Sequence, residues 1–309
     1  MKTAKKILSV LLVLVIVLSL SGCSPITITK AAKKMSDLKS LRADLDLDLD
    51  LSMNMMDEAS DLDVKVTGPF DIDLAGGKGK GELSVNMMGE VLPILFYYED
   101  TEDSYHFYVS PDGGATWTKN DAPKSEDSQT KSSGSTLKSI VELTKFAASF
   151  EEAGTETVKG TEAVLYTGRL QWSELIGDAD LSGALASAGS AAGTDLDLSG
   201  LDLSNLGSIP VTIGFDEANS RVVKASMDLT ETVNTLVPMV MKAVMKSVLE
   251  ESGMSPEEMG EFDLSMLGIE LDVHTLTLAA ELYDFDAVGE IVIPQEALNA
   301  EAMPVGAAA

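Results

Sequence analysis

A single cysteine among 309 residues excludes any disulfide within the chain. Two histidines leave little material for a zinc site or a proton relay, since either must be assembled from isolated imidazoles. Aromatics are scarce at 5%, while 15 methionines make the apolar material soft. Cations are few as well: 22 Lys and Arg stand against 50 Asp and Glu, a net charge of −28. Nucleic-acid binding needs cations to neutralise phosphates, and anionic headgroups repel acids, so neither is an expected surface partner. No apolar run reaches the roughly 20 residues that a spanning helix needs.

The longest such run lies at the N-terminus, where Lys2, Lys5 and Lys6 precede uncharged apolar sequence from Ile7 to Leu20. That order of charge and then apolarity is the order of an export signal. The run ends in Leu20-Ser21-Gly22-Cys23, which resembles the lipobox of bacterial lipoproteins. The resemblance implies a diacylglyceryl thioether on Cys23, cleavage before it, and a protein held on the extracytoplasmic face of the cell membrane. Two or three acyl chains anchor stably where one does not, at about 0.8 kcal/mol for each buried methylene. Loss of residues 1–22 removes three lysines, leaving 19 Lys and Arg against 50 Asp and Glu, or −31.

Residues 23–29 read as a lipidated tether, and 30–40 predict an amphipathic helix with Ala31, Met35 and Leu38 on one side. Residues 44–51 alternate aspartate and leucine, a period of two that places Asp44, Asp46, Asp48 and Asp50 on one sheet face. Leu45, Leu47 and Leu49 then fall on the other. Further strands are expected at 62–67, 70–74, 81–88, 94–99, 104–110 and around Trp117, which argues for an antiparallel meander. A loop is expected over 120–135, a helix over 137–152, a hairpin over 156–170 turning at Lys159-Gly160, and a helix over 172–186. Residues 187–208 hold only small residues, aspartate and leucine, as in a low-complexity surface insertion. Strands follow at 209–215, 221–229, 271–283 and 290–293, with a tail over 299–309. Between the second and third of these, Leu236, Val237, Val240, Met241, Val244, Met245 and Val248 form a helical stripe, with Pro238 tolerable in a first turn or as a kink. A second helix is expected from Ser255.

Four motifs invite chemistry. The aspartate row suggests calcium, but same-face neighbours on a strand stand about 6.8 Å apart, too far for one compact site, so a solvated face with Lys65, Lys78 and Lys80 as counter-charges is expected. Residues 110–117 match the Asp-box pattern Ser-x-Asp-x-Gly-x-Thr-Trp. One copy makes a self-supporting hairpin in which Asp112 holds turn amides and Trp117 packs beneath, and not a propeller. Gly76 to Gly81 lacks the Gly-Lys-Ser/Thr ending of a phosphate loop and reads as a hairpin turn. His106 and His274 each lie in an expected strand, and catalysis would need a triad geometry around one of them.

A cysteine at the mature start, an opening helix and a long meander interrupted by helices together resemble the LolA-like group of envelope lipoproteins, including the mycobacterial LppX and LprG type. The phrases that carry the resemblance are 31–40 leading into 41–51, the 108–119 hairpin, the 158–166 hairpin, and 213–227 with Asp216 and Lys224. They span roughly residues 31–298, and the expected lipoprotein domain is 30–298. The resemblance implies an α+β fold: a strongly curved antiparallel sheet, an incomplete barrel, with helices over its open side and an apolar cavity for acyl chains. The expected function is a non-enzymatic carrier of an apolar ligand such as a lipid, lined by Leu45, Leu47, Leu49, Val240, Met241, Val244 and Met245. The clustered Met239, Met241, Met245, Met254, Met259 and Met266 suit a deformable lid or ordinary core. The alternative is an envelope scaffold whose core is filled by its own side chains. Neither reading calls for a cofactor or a metal, and the protein partner stays open.

Overall fold

The computed structural model describes residues 34–35, 37–55, 58–87, 89–123, 150–172, 206–251 and 269–301. The signal run, Leu20, Ser21, Gly22, Cys23 and the tether lie outside these residues, as do nearly all of the helices expected over 137–152 and 172–186 and from Ser255, and all but the last three residues of the 187–208 insertion.

Eleven strands form one antiparallel sheet: β1 Ser40–Met55, β2 Glu58–Asp73, β3 Lys78–Met87, β4 Glu90–Asp100, β5 Ser104–Ser110, β6 Thr118–Pro123, β7 Glu151–Val158, β8 Thr161–Gln171, β9 Ser208–Asp216, β10 Arg221–Asp228 and β11 Ile269–Tyr283. Their spatial order is β6-β5-β4-β3-β2-β1-β11-β10-β9-β8-β7, so the sheet is two meanders joined by the pairing of β1 with β11. Among the described residues it does not close, and β6 and β7 are its edges. Twisted open sheets of this width curl, and the inner face of the curl holds the main core. Leu41, Ala43, Phe70, Ile72, Tyr166, Leu170, Val211, Ile213, Ala225 and Leu282 pack there as one cluster, with Met35 and Leu38 from the N-terminal approach.

Several strands depart from expectation. Residues 62–67 and 70–74 belong to one strand, β2, although Gly68-Pro69 reads as a break. Gly68 (φ 147°) brings the chain so near β3 that a Cβ would meet the carbonyl oxygen of Glu82, so the pair interrupts the ladder locally and the strand continues beyond it. The turn expected over Gly76 to Gly81 is shorter: residues 74–77 turn and Gly79 already lies in β3, while at Gly81, in the strand expected from 81, a Cβ would overlap the Phe96 ring. Of the helix expected over 137–152, only the last three residues are described, and they are not helical: Phe150 is buried in the inner core and Glu151 and Glu152 begin β7. The 30–40 helix likewise ends early: Lys34 and Met35 are helical, but Ser40 already pairs with Asp73. The expected 120–135 loop begins in β6.

Two helices belong to the described part. α1, Thr230–Glu251, holds Pro238 in its interior, beyond the first turn. The missing N–H of a proline and its ring clash cost about 3 kcal/mol in such a place, and α1 is secured by its ties to the sheet. Leu276 N donates to Thr230 Oγ1 at 2.8 Å, and Asn234 bonds both the N–H and C=O of Val273 at 2.8 and 2.7 Å. Trp172 Nε1 donates to the buried Thr232 Oγ1 at 2.9 Å. These bonds set α1 against β11, near the middle of the sheet. α2 is the short Gln295–Leu298.

Residues 290–293 do not form the expected strand. They cross the outer face as an extended strap, with Ile291 and Ile293 buried against Tyr97 and Tyr108 and Val292 exposed between them. The alternation that reads as a strand is the alternation of a segment lying on an apolar surface. Its start is fixed where Asp286 N donates to Ser40 O at 2.8 Å and Val288 N to Ser40 Oγ at 3.2 Å. Its end meets the β6 edge, where Lys119 N donates to Glu301 O at 3.3 Å.

Candidate functional site

Pairing registers carry the alternation of β1 across its neighbours. Leu47 stands opposite Val66, Val66 opposite Val85, and Val85 opposite Leu92. Leu49 stands opposite Val64, and on the other side Leu47 and Leu49 oppose Leu278 and Leu276. Residues opposite one another in a ladder share a face, so these form apolar rows on the inner face. Leu45 packs against the main core. Leu47, Leu49, Val64, Val66, Leu83, Val85 and Ile94 are half-buried, forming an apolar shelf beside that core.

An aromatic group borders the shelf. Phe70 and Phe96 stack at 5.0 Å, and Tyr98 lies 5.4 Å from Phe107 and 6.1 Å from Tyr105 between ring centroids. Burial, with the charge of Asp100, pushes the Tyr98 phenol above its ordinary pKa, so it stays a neutral hydroxyl. The alternation of β1 alone identifies Leu45, Leu47 and Leu49 on this face, and the residues contributed by β2 to β5 are not legible from it. The signal that finds them is the alternation of Leu62, Val64 and Val66 and of Leu83, Val85 and Met87, once the hairpin registers are known.

Val240 and Met241, expected in the same lining, are half-buried on α1, which packs on β11 beside β1. The side chains of Val244 and Met245 lie outside the described residues. Among the described residues α1 packs on β11 and, on the outer face, α2 on β5 and β6, and neither shows the helical cover expected over the open side.

The outer face is ionic. Lys159 bonds Asp44, whose second oxygen accepts from Tyr283 Oη at 2.6 Å, and Arg42 bonds Asp71 and, at 3.0 Å, Asp284. Partial burial of Asp44 favours its neutral form, yet the bonds from Lys159 and Tyr283 prevail and hold its pKa below the usual value. Lys65 reaches Asp46 and Asp48 at 3.5 and 3.6 Å, as expected, but Lys78 pairs with Glu99 and Lys80 with Glu82. Those two lysines lie across β3, beyond β2, out of line with the aspartates; Lys159, remote in sequence, takes their expected place.

The Asp-box segment is a hairpin turn. Asp112 accepts from Ser110 Oγ (2.8 Å), Thr116 N (2.8 Å) and Thr116 Oγ1 (2.7 Å), and Trp117 Nε1 donates to Gly114 O at 3.1 Å. Trp117 lies 5.7 Å from Tyr97 in the outer cluster that the strap covers.

His106 has neighbours in the order of a hydrolytic relay: Ser104 Oγ at 3.1 Å from Nε2, and Asp121 Oδ1 at 2.6 Å from Nδ1. A serine nucleophile also needs N–H donors aimed at the developing oxyanion. Here Ser104 N donates to Thr101 Oγ1 and Thr101 N to Ser104 O, so the adjoining amides close the β4–β5 turn instead. His274, by contrast, is exposed, with Ser52 Oγ at 3.1 Å from Nε2 and Asp272 at 3.6 Å from Nδ1.

No protein-family model matches the sequence, and no curated protein matches it. Among solved structures, the chain is similar to the lipoprotein LppX of Mycobacterium tuberculosis, with 11% identity and a TM-score of 0.39 over 87% of this chain and 97% of that one. It is similar also to LprF of Mycobacterium bovis, with 11% identity and a TM-score of 0.38 over 88% and 96%. A putative outer membrane lipoprotein-sorting protein domain from Vibrio parahaemolyticus shares 9% identity at a TM-score of 0.22 over 86% and 93%.

Proposed function

We propose that this chain is an extracytoplasmic envelope lipoprotein, anchored to the membrane by acyl chains on Cys23 after cleavage behind Leu20-Ser21-Gly22, and that its domain shelters an apolar ligand of the lipid class without enzymatic chemistry. The observation that carries the reading is the shelf: apolar side chains from β1 to β4 share the inner face, and those at Leu47 and Leu49 are only half-covered. Each acyl methylene laid on such a surface contributes about 0.8 kcal/mol, so affinity needs no polar recognition. Val240, Met241, Val244 and Met245 are the proposed helical side of the same lining, where thioethers adapt to chains of varied shape.

Native mass spectrometry of the full-length protein, extracted from its membrane in mild detergent, tests this. The expected result is a population carrying additional mass equal to one or more acyl lipids, beyond the covalent modification of Cys23. Protein that carries no such mass, and takes none up from added lipid, supports the scaffold reading instead.

A further inference from the structure

Three arginines occur in the 309 residues, and two of them are paired with carboxylates. Arg42 bonds Asp71 and Asp284, and Arg169 reaches Glu231 at 3.0 Å. Arg221, at the start of β10, has no carboxylate partner among the described residues. Its Nε is buried without a hydrogen bond, and its Cζ lies 4.9 Å from the centroid of the Phe285 ring. A buried donor left without an acceptor is costly. In a chain with 50 acids against 22 bases, an unpaired guanidinium is also an exception.

The neighbouring acids are engaged elsewhere. Asp216 stands opposite Arg221 in the β9–β10 ladder, yet its buried carboxylate accepts from Asn219 N at 3.0 Å and from Asn219 Nδ2 at 2.7 Å. Glu217 accepts from Tyr166 Oη at 3.3 Å. Asp284 and Asp286, on either side of Phe285, bond Arg42 and the Lys39 amide. A second cation meets the same turn, where Lys34 Nζ donates to Asn219 O at 2.9 Å, and it too has no carboxylate partner among the described residues.

We infer that Arg221, laid on Phe285, and Lys34 hold a phosphate group at the β9–β10 turn. A guanidinium presents parallel N–H donors that match two phosphate oxygens, and stacking on a ring fixes the plane of that fork before binding. A phosphate keeps further oxygens for the ammonium of Lys34, whereas a carboxylate uses both of its own on the fork. The net charge of −28 disfavours broad contact with an anionic surface, but one phosphate held at one fork requires no such contact. The expected source is a phospholipid headgroup. Lys34 stands eleven residues beyond Cys23, an extended span of up to about 40 Å, so the turn is within reach of the bilayer to which the proposed anchor holds the chain. Only this choice of source rests on the proposed function; the phosphate site itself does not.

The test labels the arginine Nε of the full-length protein with nitrogen-15, in a maltoside detergent and phosphate-free buffer. Three side-chain N–H resonances result, assigned by Arg42→Lys, Arg169→Lys and Arg221→Lys. Glycerol 3-phosphate should move the Arg221 resonance saturably while the other two stay in place. Dihexanoyl phosphatidylglycerol, kept below its micelle concentration, should do so at lower concentration. By calorimetry, Arg221→Lys should weaken binding of glycerol 3-phosphate by about tenfold or more, and Lys34→Gln should weaken it less. Uptake of a fluorescent fatty acid, which reads the shelf, should be the same in Arg221→Lys as in the wild type. Saturation by glycerol 3-phosphate and inorganic phosphate, with no gain from the acyl chains, supports the site and transfers its source from lipid to a soluble phosphate. An Arg221 resonance that stays still, that moves equally with acetate at the same ionic strength, or that moves only together with the other two overturns the inference.

Discussion

Phe70 of β2 and Phe96 of β4 stack at 5.0 Å between centroids, 26° from parallel, across the intervening β3. They meet because β3 places Gly81 between them. Substituting Gly81→Val should push the rings apart and lower stability by about 1–3 kcal/mol, the usual cost of overpacking a filled site. Thermal unfolding followed by circular dichroism reads this, and an unchanged midpoint would refute the stack.

Asp112 predicts an acid-sensitive turn. Bonds from the Thr116 hydroxyl and amide and from Ser110 lower its pKa to about 2 from the ordinary 3.8. A carboxyl depressed by folding stabilises the folded state fully above its unfolded value, and that contribution fades as pH falls through the folded one. The loss is therefore expected between about pH 4 and pH 2. With Trp172→Phe removing the other tryptophan, Trp117 emission should redden over that interval, and Asp112→Asn should redden it already at neutral pH.

The shelf predicts a face-dependent effect on ligand binding. Leu49→Lys places a cation among the apolar rows, and binding of a fluorescent fatty acid should weaken by about tenfold or more, since removing one buried apolar side chain already costs that much. Asp48→Lys, on the opposite face, should leave binding unchanged. Equal effects of the two would contradict an inner-face site.

Cys23 predicts where the protein resides. Cys23→Ser should abolish metabolic incorporation of labelled palmitate and shift the protein from the membrane pellet to the soluble extracytoplasmic fraction. Retention in the pellet with label intact would place the modification elsewhere.

How far the fold was legible varied with the range of the cause. The aspartate–leucine alternation of β1 fixes its two faces because side chains on a strand alternate regardless of what lies nearby. The Lys159-Gly160 and Asp112 turns are equally readable, being closed by residues a few positions apart. Gly68-Pro69 and Gly79 mislead because the same residue types serve turns and close approaches, and only a neighbouring strand distinguishes the two. Ile291 and Ile293 alternate like a strand for a surface that they meet only after folding.

By itself the sequence determines the signal-like run, the lipobox-like Leu20 to Cys23, the acidic balance and the alternation within single strands, since each depends on residues adjacent in the chain. Tertiary structure alone decides that β1 and β11, more than two hundred residues apart, join the two meanders. It also decides that Lys159 neutralises Asp44, and that Val91 and Leu92 stay exposed while Tyr97, further along the same apolar run, is buried. Those outcomes depend on which strands pair and in what register, a choice made by burial summed over the whole sheet.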